Sequence, residues 1–208
     1  MNADTQTIAR ARDLAAIGRD LYHRGWLPAT SGNLSMRLGA ERVLITVSGR
    51  HKGRLGEADF LVVDLEGRPL GEGRPSAETL LHTRLYAWSS EVDTVLHCHS
   101  PGATVLSLRL SGQPQLTLRD YELLKAFPGV DSHTVQREIP IFDNDQDIPR
   151  LAARVDAWLA SAGNATAPPC PAYLIRGHGV YAWGDSPDNC MRHLEALDFL
   201  IQCELLKR

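Results

Sequence analysis

A short strand and the turn that ends it are encoded by Val92-Asp93-Thr94-Val95-Leu96-His97-Cys98-His99-Ser100-Pro101-Gly102. The run is short, apolar and rich in β-branched residues, which predicts a buried strand that ends at the histidines. Residues i and i+2 of a strand point to the same face, so His97 and His99 project together from its carboxyl end. Two imidazoles held in this way make half of a site for Zn, Fe, Ni or Cu. The alternative is a pair of structural histidines that satisfy backbone groups at a strand end.

The segments on either side of this strand predict an α/β fold. Short apolar runs alternate with helical patterns along the chain, and this order is typical of the α/β class. Some connections between predicted strands are too short for a crossover helix, so we expect a sheet that is at least partly antiparallel. The predicted strands are 43–47, 60–65, 138–142, 173–176 and 180–183. The predicted helices are 7–22, 77–88 with Ser76 as its cap, 102–109, 119–127, 148–160 and one from Ser186-Pro187 onward, and 164–171 is predicted to be a proline-rich surface connection.

Composition and charge exclude several classes of protein. The chain has 208 residues, of which 43% are hydrophobic, and this length suits a single domain over residues 1–208. The formal net charge of −3 predicts no nucleic-acid partner, and no apolar stretch approaches the roughly 18 residues of a membrane helix. The N-terminal segment contains Asp13 and Asp20 and lacks the apolar centre of a signal peptide. Four cysteines without a Cys-x-x-Cys pair predict reduced thiols and a cytoplasmic protein.

His178 is the candidate third metal ligand. It lies in Gly177-His178-Gly179, between two predicted strands, where small neighbours leave an imidazole exposed and let a ligand approach closely. Three protein ligands with an open fourth position are typical of a catalytic rather than a structural metal site. A histidine in an ordinary hairpin turn is the alternative, and the presence of His97 and His99 favours the ligand.

Two glycine-containing loops predict an anion site. Thr30-Ser31-Gly32-Asn33 and Ser48-Gly49-Arg50-His51-Lys52 combine hydroxyls, backbone N–H groups and a lysine, which suits a phosphate group. Each loop taken alone is also ordinary turn chemistry. The predicted phosphate contacts are Ser31, Gly32, Asn33, Ser48, Gly49 and Lys52.

Two glutamates are candidates for the site. Glu122 follows the histidine strand by about one loop and one helix, and a carboxylate near a metal is suited to act as a general base. The alternative for Glu122 is a solvated surface side chain. Glu78 opens a predicted helix, where its charge favours the helix dipole, and this is a sufficient structural reason for it. Glu78 is also a candidate to face the site, and His82 lies four residues further along on the same helical face.

Five stretches, taken in order, resemble the class II aldolase superfamily, which includes fuculose-phosphate aldolase and ribulose-phosphate 4-epimerase. The stretches are 28–35, 48–49, 75–78, 97–99 and 177–179, and they span nearly the whole chain. The resemblance implies a three-layer α/β/α sandwich with a mixed, largely antiparallel central sheet. It also implies one zinc ion per subunit, held by His97, His99 and His178, and a homotetramer with active sites at subunit interfaces.

Three further stretches, 121–125, 139–147 and 176–184, resemble the family of methylthioribulose-1-phosphate dehydratases within that superfamily. This resemblance implies zinc-dependent removal of water from a small ketose phosphate in methionine salvage, with Glu122 as the acid and base. The superfamily's aldolases use the glutamate that matches Glu78, so a sugar-phosphate aldolase or a 4-epimerase is the alternative. A binding module without catalysis is a third alternative, and the complete histidine triad argues against it.

Overall fold

The structure is a computed structural model that describes residues 3–162 and 169–207, and within them eight strands alternate with five α-helices. The strands are β1 (Asn33–Arg37), β2 (Arg42–Thr46), β3 (Phe60–Asp64), β4 (Thr94–Cys98), β5 (Gln115–Leu118), β6 (Arg137–Phe142), β7 (Ala172–Ile175) and β8 (Gly179–Gly184). The helices are α1 (Ala3–His23), α2 (Thr79–Trp88), α3 (Pro101–Arg109), α4 (Ile148–Ala162) and α5 (Pro187–Leu206).

The eight strands form one mixed sheet in the order β3-β2-β1-β4-β8-β7-β6-β5. Neighbouring strands are antiparallel except for β6 and β7, which run parallel. Antiparallel pairing is what the short connections permit, because a parallel pair needs a crossover of a dozen or more residues. The prediction of a mixed, largely antiparallel sheet is confirmed.

Helices cover both faces of this sheet. On one face α1, α3 and α5 bury side chains such as Leu14, Ala103 and Leu197 in a common core with the strands. On the other face α2 and α4 pack against each other and against the sheet, with Leu85 and Val155 in a second core. The predicted α/β class with three layers is confirmed.

The strand that carries the histidines lies in the middle of the sheet. β4 is flanked by β1 and β8, and all five of its residues are buried, as the apolar run predicts. Two residues after the strand ends, Ser100 caps α3 by accepting a hydrogen bond from the backbone N–H of Ala103. Because a paired strand and a capped helix enclose it, the segment of His97 and His99 is held on rigid backbone.

Several local predictions are wrong. The segment 119–127 contains only a 3-10 helix, Glu122–Ala126, because Asp120 has a positive φ of 63° that an α-helix does not accept. Helix α2 begins at Thr79, with Glu78 rather than Ser76 at the N-cap position. Strands β1 and β5 are not predicted from the sequence, because both lie beside turn-rich segments. The last helix is confirmed, with Ser186 as its cap.

The sequence also led to expectations about the connection 164–171, the cysteines and membrane-spanning helices. Most of the predicted connection 164–171 lies outside the described residues, and Cys170 and Pro171 at its end are buried rather than on the surface. All four cysteines are free thiols, as predicted. Among the helices of 3–162 and 169–207, none has the length and apolar character that a membrane span requires.

Candidate metal centre and active site

The three histidines that the sequence singles out meet at one point. The Nε2 atoms of His97 and His99 lie 3.0 Å apart, and that of His178 lies 3.1 Å from the Nε2 of His99. One ligand atom from each of the three lies within 4.8 Å of the others. The expected same-face arrangement of His97 and His99 is therefore present, and the turn between β7 and β8 completes the group.

Glycines let this turn approach the end of β4. Gly177 has a positive φ of 64°, which glycine adopts without strain. A Cβ atom on Gly179 would lie 2.1 Å from the carbonyl oxygen of Cys98, so any other residue would push β8 away from β4. The hydroxyl of Thr104 on α3 donates to the carbonyl oxygen of His178 at 3.1 Å and ties the turn to the helix.

The donor set fits a divalent metal ion. The Nδ1–H of His97 donates to the carbonyl oxygen of Val180 at 3.0 Å, which leaves a free lone pair on Nε2. The carboxylate of Glu78 adds acceptors 3.2 Å from the Nε2 of His97 and 3.3 Å from that of His178. Lone pairs that converge in this way are stabilised by a cation between them. Tetrahedral zinc with bonds of about 2.0–2.1 Å separates its ligands by roughly 3.3 Å, close to the separations found here.

Burial keeps His97 and His99 neutral, which is the form of imidazole that binds metal. Burial lowers the pKa of His97 to about 3, although the nearby charge of Glu78 acts in the opposite direction. Burial also lowers the pKa of His99 to about 4, and His178 acts in the same direction. Because neutral imidazole is the ligand form, no proton has to be displaced from either side chain at neutral pH.

Glu78 faces the histidines rather than the end of its helix. It occupies the N-cap position of α2, but its side chain makes no capping hydrogen bond. Instead it accepts hydrogen bonds from Asn33 Nδ2 at 2.8 Å and from Tyr181 OH at 3.2 Å. Burial raises the pKa of Glu78, but the interaction with His97 and the hydrogen bond from Asn33 outweigh it and lower this pKa to about 2. A helix-dipole role alone therefore does not account for Glu78.

A cavity of about 700 Å³ opens beside the three histidines and reaches both anion loops. It is lined by every residue predicted to contact phosphate, together with Glu78 and two of the three histidines. These lining residues are Ser31, Gly32, Asn33, Ser48, Gly49, Lys52, Glu78, His99 and His178. Fourteen residues separate the two loops in the sequence, and folding brings both to one cavity next to the candidate metal centre.

Lys52 supplies a buried positive charge to this cavity. Only 2% of the residue is exposed, and its ammonium donates to the carbonyl oxygens of Thr30 at 2.7 Å and Arg50 at 2.9 Å. An ammonium has three N–H donors, so one donor remains for a ligand. Burial lowers the pKa of Lys52 to about 8, with the charge of Glu78 partly opposing the shift, so the side chain is mostly protonated at neutral pH. A cation with a spare donor suits a phosphate oxygen.

Glu122 lies outside this cavity. It begins the 3-10 helix Glu122–Ala126, its side chain is 72% exposed, and its carboxylate pairs with Lys125 Nζ at 2.6 Å. The hydrogen bond from Lys125 lowers the pKa of Glu122. Of the side chains predicted for the site, Glu122 is the one that the described part of the chain does not bring to the histidines.

The cavity wall also contains polar residues that were not predicted from the sequence, among them Thr104, Asn144 and Gln146. Asn144 and Gln146 follow β6 and belong to the stretch 139–147, so the resemblance of that stretch was a signal to examine them. Thr104 lies within an ordinary helical segment, and nothing in its neighbourhood in the sequence distinguishes it.

Comparison with known proteins places this fold and site in a class. The chain belongs to the family described as Class II Aldolase and Adducin N-terminal domain, whose match covers residues 12–205. The resemblance that the sequence motifs predict is therefore confirmed.

Within this family, the chain is similar over most of its length to proteins that share one name. The chain is 58% identical, over 189 residues, to a protein of Pseudomonas paraeruginosa strain PA7 named methylthioribulose-1-phosphate dehydratase, which covers 90% of this chain and 89% of that protein. A protein of the same name from Azotobacter vinelandii is 54% identical over 198 residues, or 95% of this chain and 93% of that protein. The predicted similarity to these dehydratases is confirmed.

Solved structures show the same fold. L-fuculose-1-phosphate aldolase from Thermus thermophilus superposes with a TM-score of 0.72 at 28% identity, covering 94% of this chain and 95% of that chain. YgbL from Klebsiella pneumoniae superposes with a TM-score of 0.80 at 22% identity, covering 97% and 92%, and at that identity it speaks for the fold alone.

Proposed function

We propose that this protein removes water from 5-methylthioribulose 1-phosphate in a zinc-dependent reaction that yields 2,3-diketo-5-methylthiopentyl 1-phosphate. The chain is a hydro-lyase, like the dehydratases with which it shares more than half of its aligned residues. The observation that carries the proposal is the convergence of three histidine Nε2 atoms beside a cavity that holds both anion loops. We place the reaction in methionine salvage in the cytoplasm.

His97, His99 and His178 hold one zinc ion per subunit in this proposal. Zinc bound there would supply a Lewis acid to polarise the C2 carbonyl of the substrate and so make the neighbouring C3 proton acidic. Burial of His97 and its hydrogen bond to Val180 hold the first imidazole in the ligand tautomer before any metal arrives.

The anion loops fix the 1-phosphate at the other end of the cavity. Lys52 donates its spare N–H to a phosphate oxygen, and Gly32 and Gly49 in the two loops bring their backbone N–H groups to the same cavity. The backbone N–H groups of Ser31 and Ser48 donate to the carbonyl oxygens of Pro28 and Arg74 instead. The proposal relies on Lys52 and the two loops rather than on the Asn33 side chain, because both ends of the Asn33 amide are bonded within the protein. A remote anchor of this kind orients the reacting carbons and lowers the entropic part of the barrier.

Glu122 moves the protons. As general base it takes the C3 proton, the C3–H electron pair forms the C3–C4 double bond, and the C4–O bond breaks. The departing hydroxyl takes a proton, from Glu122 in the simplest sequence, and leaves as water. The enol at C3 then tautomerises to the second carbonyl, which gives the diketone.

Glu122 reaches the reaction from a neighbouring subunit of a homotetramer. An exposed carboxylate outside its own cavity is what an active site shared between subunits requires. The elements around Glu122 also carry exposed apolar side chains that a second copy would cover. These are Leu108 on α3, Leu123 next to Glu122, and Phe199 and Leu206 on α5, which contacts both α3 and the 3-10 helix.

A class II aldolase or 4-epimerase is the second candidate, and Glu78 is the observation that favours it. Its carboxylate lies within 3.3 Å of the histidines in the same chain, whereas Glu122 needs an assembly. An aldolase would break the C3–C4 bond and leave two smaller products, so product analysis separates it from a dehydratase.

The test is product analysis of purified protein given 5-methylthioribulose 1-phosphate. We expect the diketone from the wild type, a loss of kcat of about 10²–10⁴-fold in Glu122→Gln with zinc still bound, and a smaller loss in Glu78→Gln. Glu72→Gln, an exposed loop variant, is the matched control and should behave as wild type. Cleavage products, or an inactive Glu78→Gln beside an active Glu122→Gln, would mean that the aldolase-type base operates.

A second experiment tests whether Glu122 acts in the active site of a neighbouring subunit. Glu122→Gln and His178→Ala subunits, each inactive alone, are dissociated, mixed and reassembled. If the two residues meet across an interface, mixed tetramers regain part of the activity. Wild-type subunits treated in the same way are the control and should recover full activity. If they do and the mixed variants regain none, Glu122 acts in the site of its own chain.

A further inference from the structure

A line of buried hydrogen bonds runs from Tyr86 on α2 to Glu78 through Ser35, His82 and Asn33. The Tyr86 hydroxyl lies 2.8 Å from Ser35 Oγ, and Ser35 Oγ lies 2.7 Å from His82 Nδ1. His82 Nε2 bonds to Asn33 Oδ1, and Asn33 Nδ2 donates to Glu78 Oε2 at 2.8 Å. The line connects one face of α2 to β1 and ends beside the candidate metal centre.

The Glu78 carboxylate at one end can only accept hydrogen bonds, and this fixes which atom donates in every other bond of the line. The amide nitrogen of Asn33 donates to Glu78, so its oxygen accepts, and His82 must carry a proton on Nε2. Burial lowers the pKa of His82 to about 3, with Glu78 acting in the opposite direction, so the ring is neutral and Nδ1 is an acceptor. Ser35 therefore donates to Nδ1 and accepts from the hydroxyl of Tyr86. All four bonds donate toward the carboxylate.

Burial makes this arrangement stiff. The exposed fraction is 0% for Ser35 and His82, 2% for Tyr86 and 4% for Asn33. Hydrogen bonds in a chain polarise one another in a low dielectric, and an unmet polar group there is costly. Turning the Asn33 amide over would set its oxygen against Glu78 and its NH₂ group against the Nε2–H of His82. One orientation of Asn33 is therefore strongly preferred.

The far end of the line is also held. The guanidinium of Arg37 lies 5.1 Å from the centre of the Tyr86 ring and donates to the backbone oxygen of the same tyrosine at 2.8 Å. Burial raises the pKa of Tyr86, whereas the charge of Arg37 acts in the opposite direction and favours donation by the hydroxyl. Arg37 belongs to β1, as do Ser35 and Asn33, so the strand and the helix fix the line from both sides.

We propose that His82 is a positioning residue, which fixes the Asn33 amide so that the Glu78 carboxylate stays turned toward His97 and His178. The inference rests on the proposed function for its kinetic readout, because kcat is measured on the proposed substrate. It does not rest on that function for its structural readout, because the tautomer of His82 is a property of the protein without substrate or metal. His82 contacts Glu78 only through Asn33.

The first measurement is the ¹⁵N NMR spectrum of the imidazoles in metal-free protein. We expect His82 to be the Nε2–H tautomer, with an unprotonated Nδ1. An Nδ1–H tautomer would overturn the proposal, because Asn33 would then have to face Glu78 with its oxygen. This result stands whether or not the protein dehydrates the proposed substrate.

The second measurement compares two substitutions of His82. Leucine removes the donor to Asn33, whereas glutamine keeps an amide N–H near the position of Nε2. We expect His82→Leu to lower kcat by about ten- to one-hundredfold with KM and zinc content near the wild type, as a misplaced group would. His82→Gln should recover most of that loss. Equal kcat in His82→Leu and the wild type, or equal losses in both variants, would overturn the proposal.

The matched control is His193→Leu. His193 is also a nearly buried histidine, 3% exposed, and its Nδ1–H donates to the carbonyl oxygen of Trp183 at 2.8 Å, away from this line. It should lower the melting temperature without lowering kcat. Should His82→Leu fail to fold, Ser35→Ala tests the preceding bond, and we expect it to lower kcat in the same direction by a smaller factor. Wild-type kcat in Ser35→Ala would then contradict the proposal. A wild-type protein without dehydratase activity would defeat the proposed function and leave the tautomer result to decide this inference.

Discussion

At the scale of single residues, the candidate metal centre combines two histidines from the end of β4, one from the turn between β7 and β8, and the carboxylate of Glu78. The two-residue period of a strand is a local property, so it places His97 and His99 on one face without further information. Glu78 is different, because its direction depends on where α2 packs against β1, and the local pattern is equally consistent with a helix-dipole role. The line of bonds through His82 joins residues about 50 positions apart, such as Asn33 and His82, and no local pattern reveals it.

Lys52 is the residue on which the proposed phosphate site depends most directly. Lys52→Met keeps most of the side-chain volume and removes the charge and the donors. Because a charged hydrogen bond contributes about 1.5–3 kcal/mol, we expect KM for the phosphorylated substrate to rise about 10–100-fold. In the wild type, kcat/KM should fall as the pH rises through about 8, where Lys52 loses its proton, and this fall should be absent in the variant.

Arg12→Met is the control for the loss of one positive charge. Arg12 lies on α1 and pairs with Glu57 at 2.6 Å on the surface. Steady-state kinetics of both variants across pH 6–10 make the comparison. If Lys52→Met keeps the wild-type KM, then Lys52 serves only to hold the carbonyl groups of Thr30 and Arg50.

At the scale of elements, strands with strong β-branched content were predictable and two short strands were not. β4 and β8 carry continuous apolar runs, and their burial on both faces explains that composition. β1 is a strand because β2 and β4 pair with it on both sides, although its sequence, Asn-Leu-Ser-Met-Arg, has little intrinsic preference. β5 has one partner, β6, and the left-handed Asp120 just after it stops the helix expected there.

Gly179 tests the contact between β4 and β8. In Gly179→Ala the new Cβ would lie 2.1 Å from the Cys98 oxygen and 3.2 Å from His97 Cε1, so the strand and the ligand imidazole must shift. Overpacking of this kind costs about 1–3 kcal/mol. We expect a lower melting temperature and loss of bound zinc, measured by calorimetry and elemental analysis.

Gly71→Ala is the matched variant, because a Cβ there meets nothing within 4 Å. It should keep the zinc content and the melting temperature of the wild type. Full zinc in Gly179→Ala would show that the histidines do not depend on the close approach of the two strands.

At the scale of the whole molecule, the order of strands brings the site together. β4 and β8 are neighbours in the sheet although about 80 residues separate them, and β1 on the other side carries Asn33. Alternating elements predicted the fold class, but this order depends on long-range pairing that composition does not encode. A single domain over 1–208 stays a prediction, which the continuous sheet supports. The position of Glu122 outside the cavity of its own chain depends on how the 3-10 helix packs, which local sequence does not encode. Active sites shared between subunits are expected from the family resemblance alone and stay a proposal.

The most direct test of the account is a zinc titration of metal-free protein with 5-methylthioribulose 1-phosphate present, followed by diketone formation. The account predicts no diketone without metal, a rate that rises linearly with added zinc, and a break at one zinc per chain. His178→Ala should show no such rise. Full activity in metal-free protein, a break at a different ratio, or cleavage products in place of the diketone would contradict a zinc-dependent dehydratase centred on His97, His99 and His178.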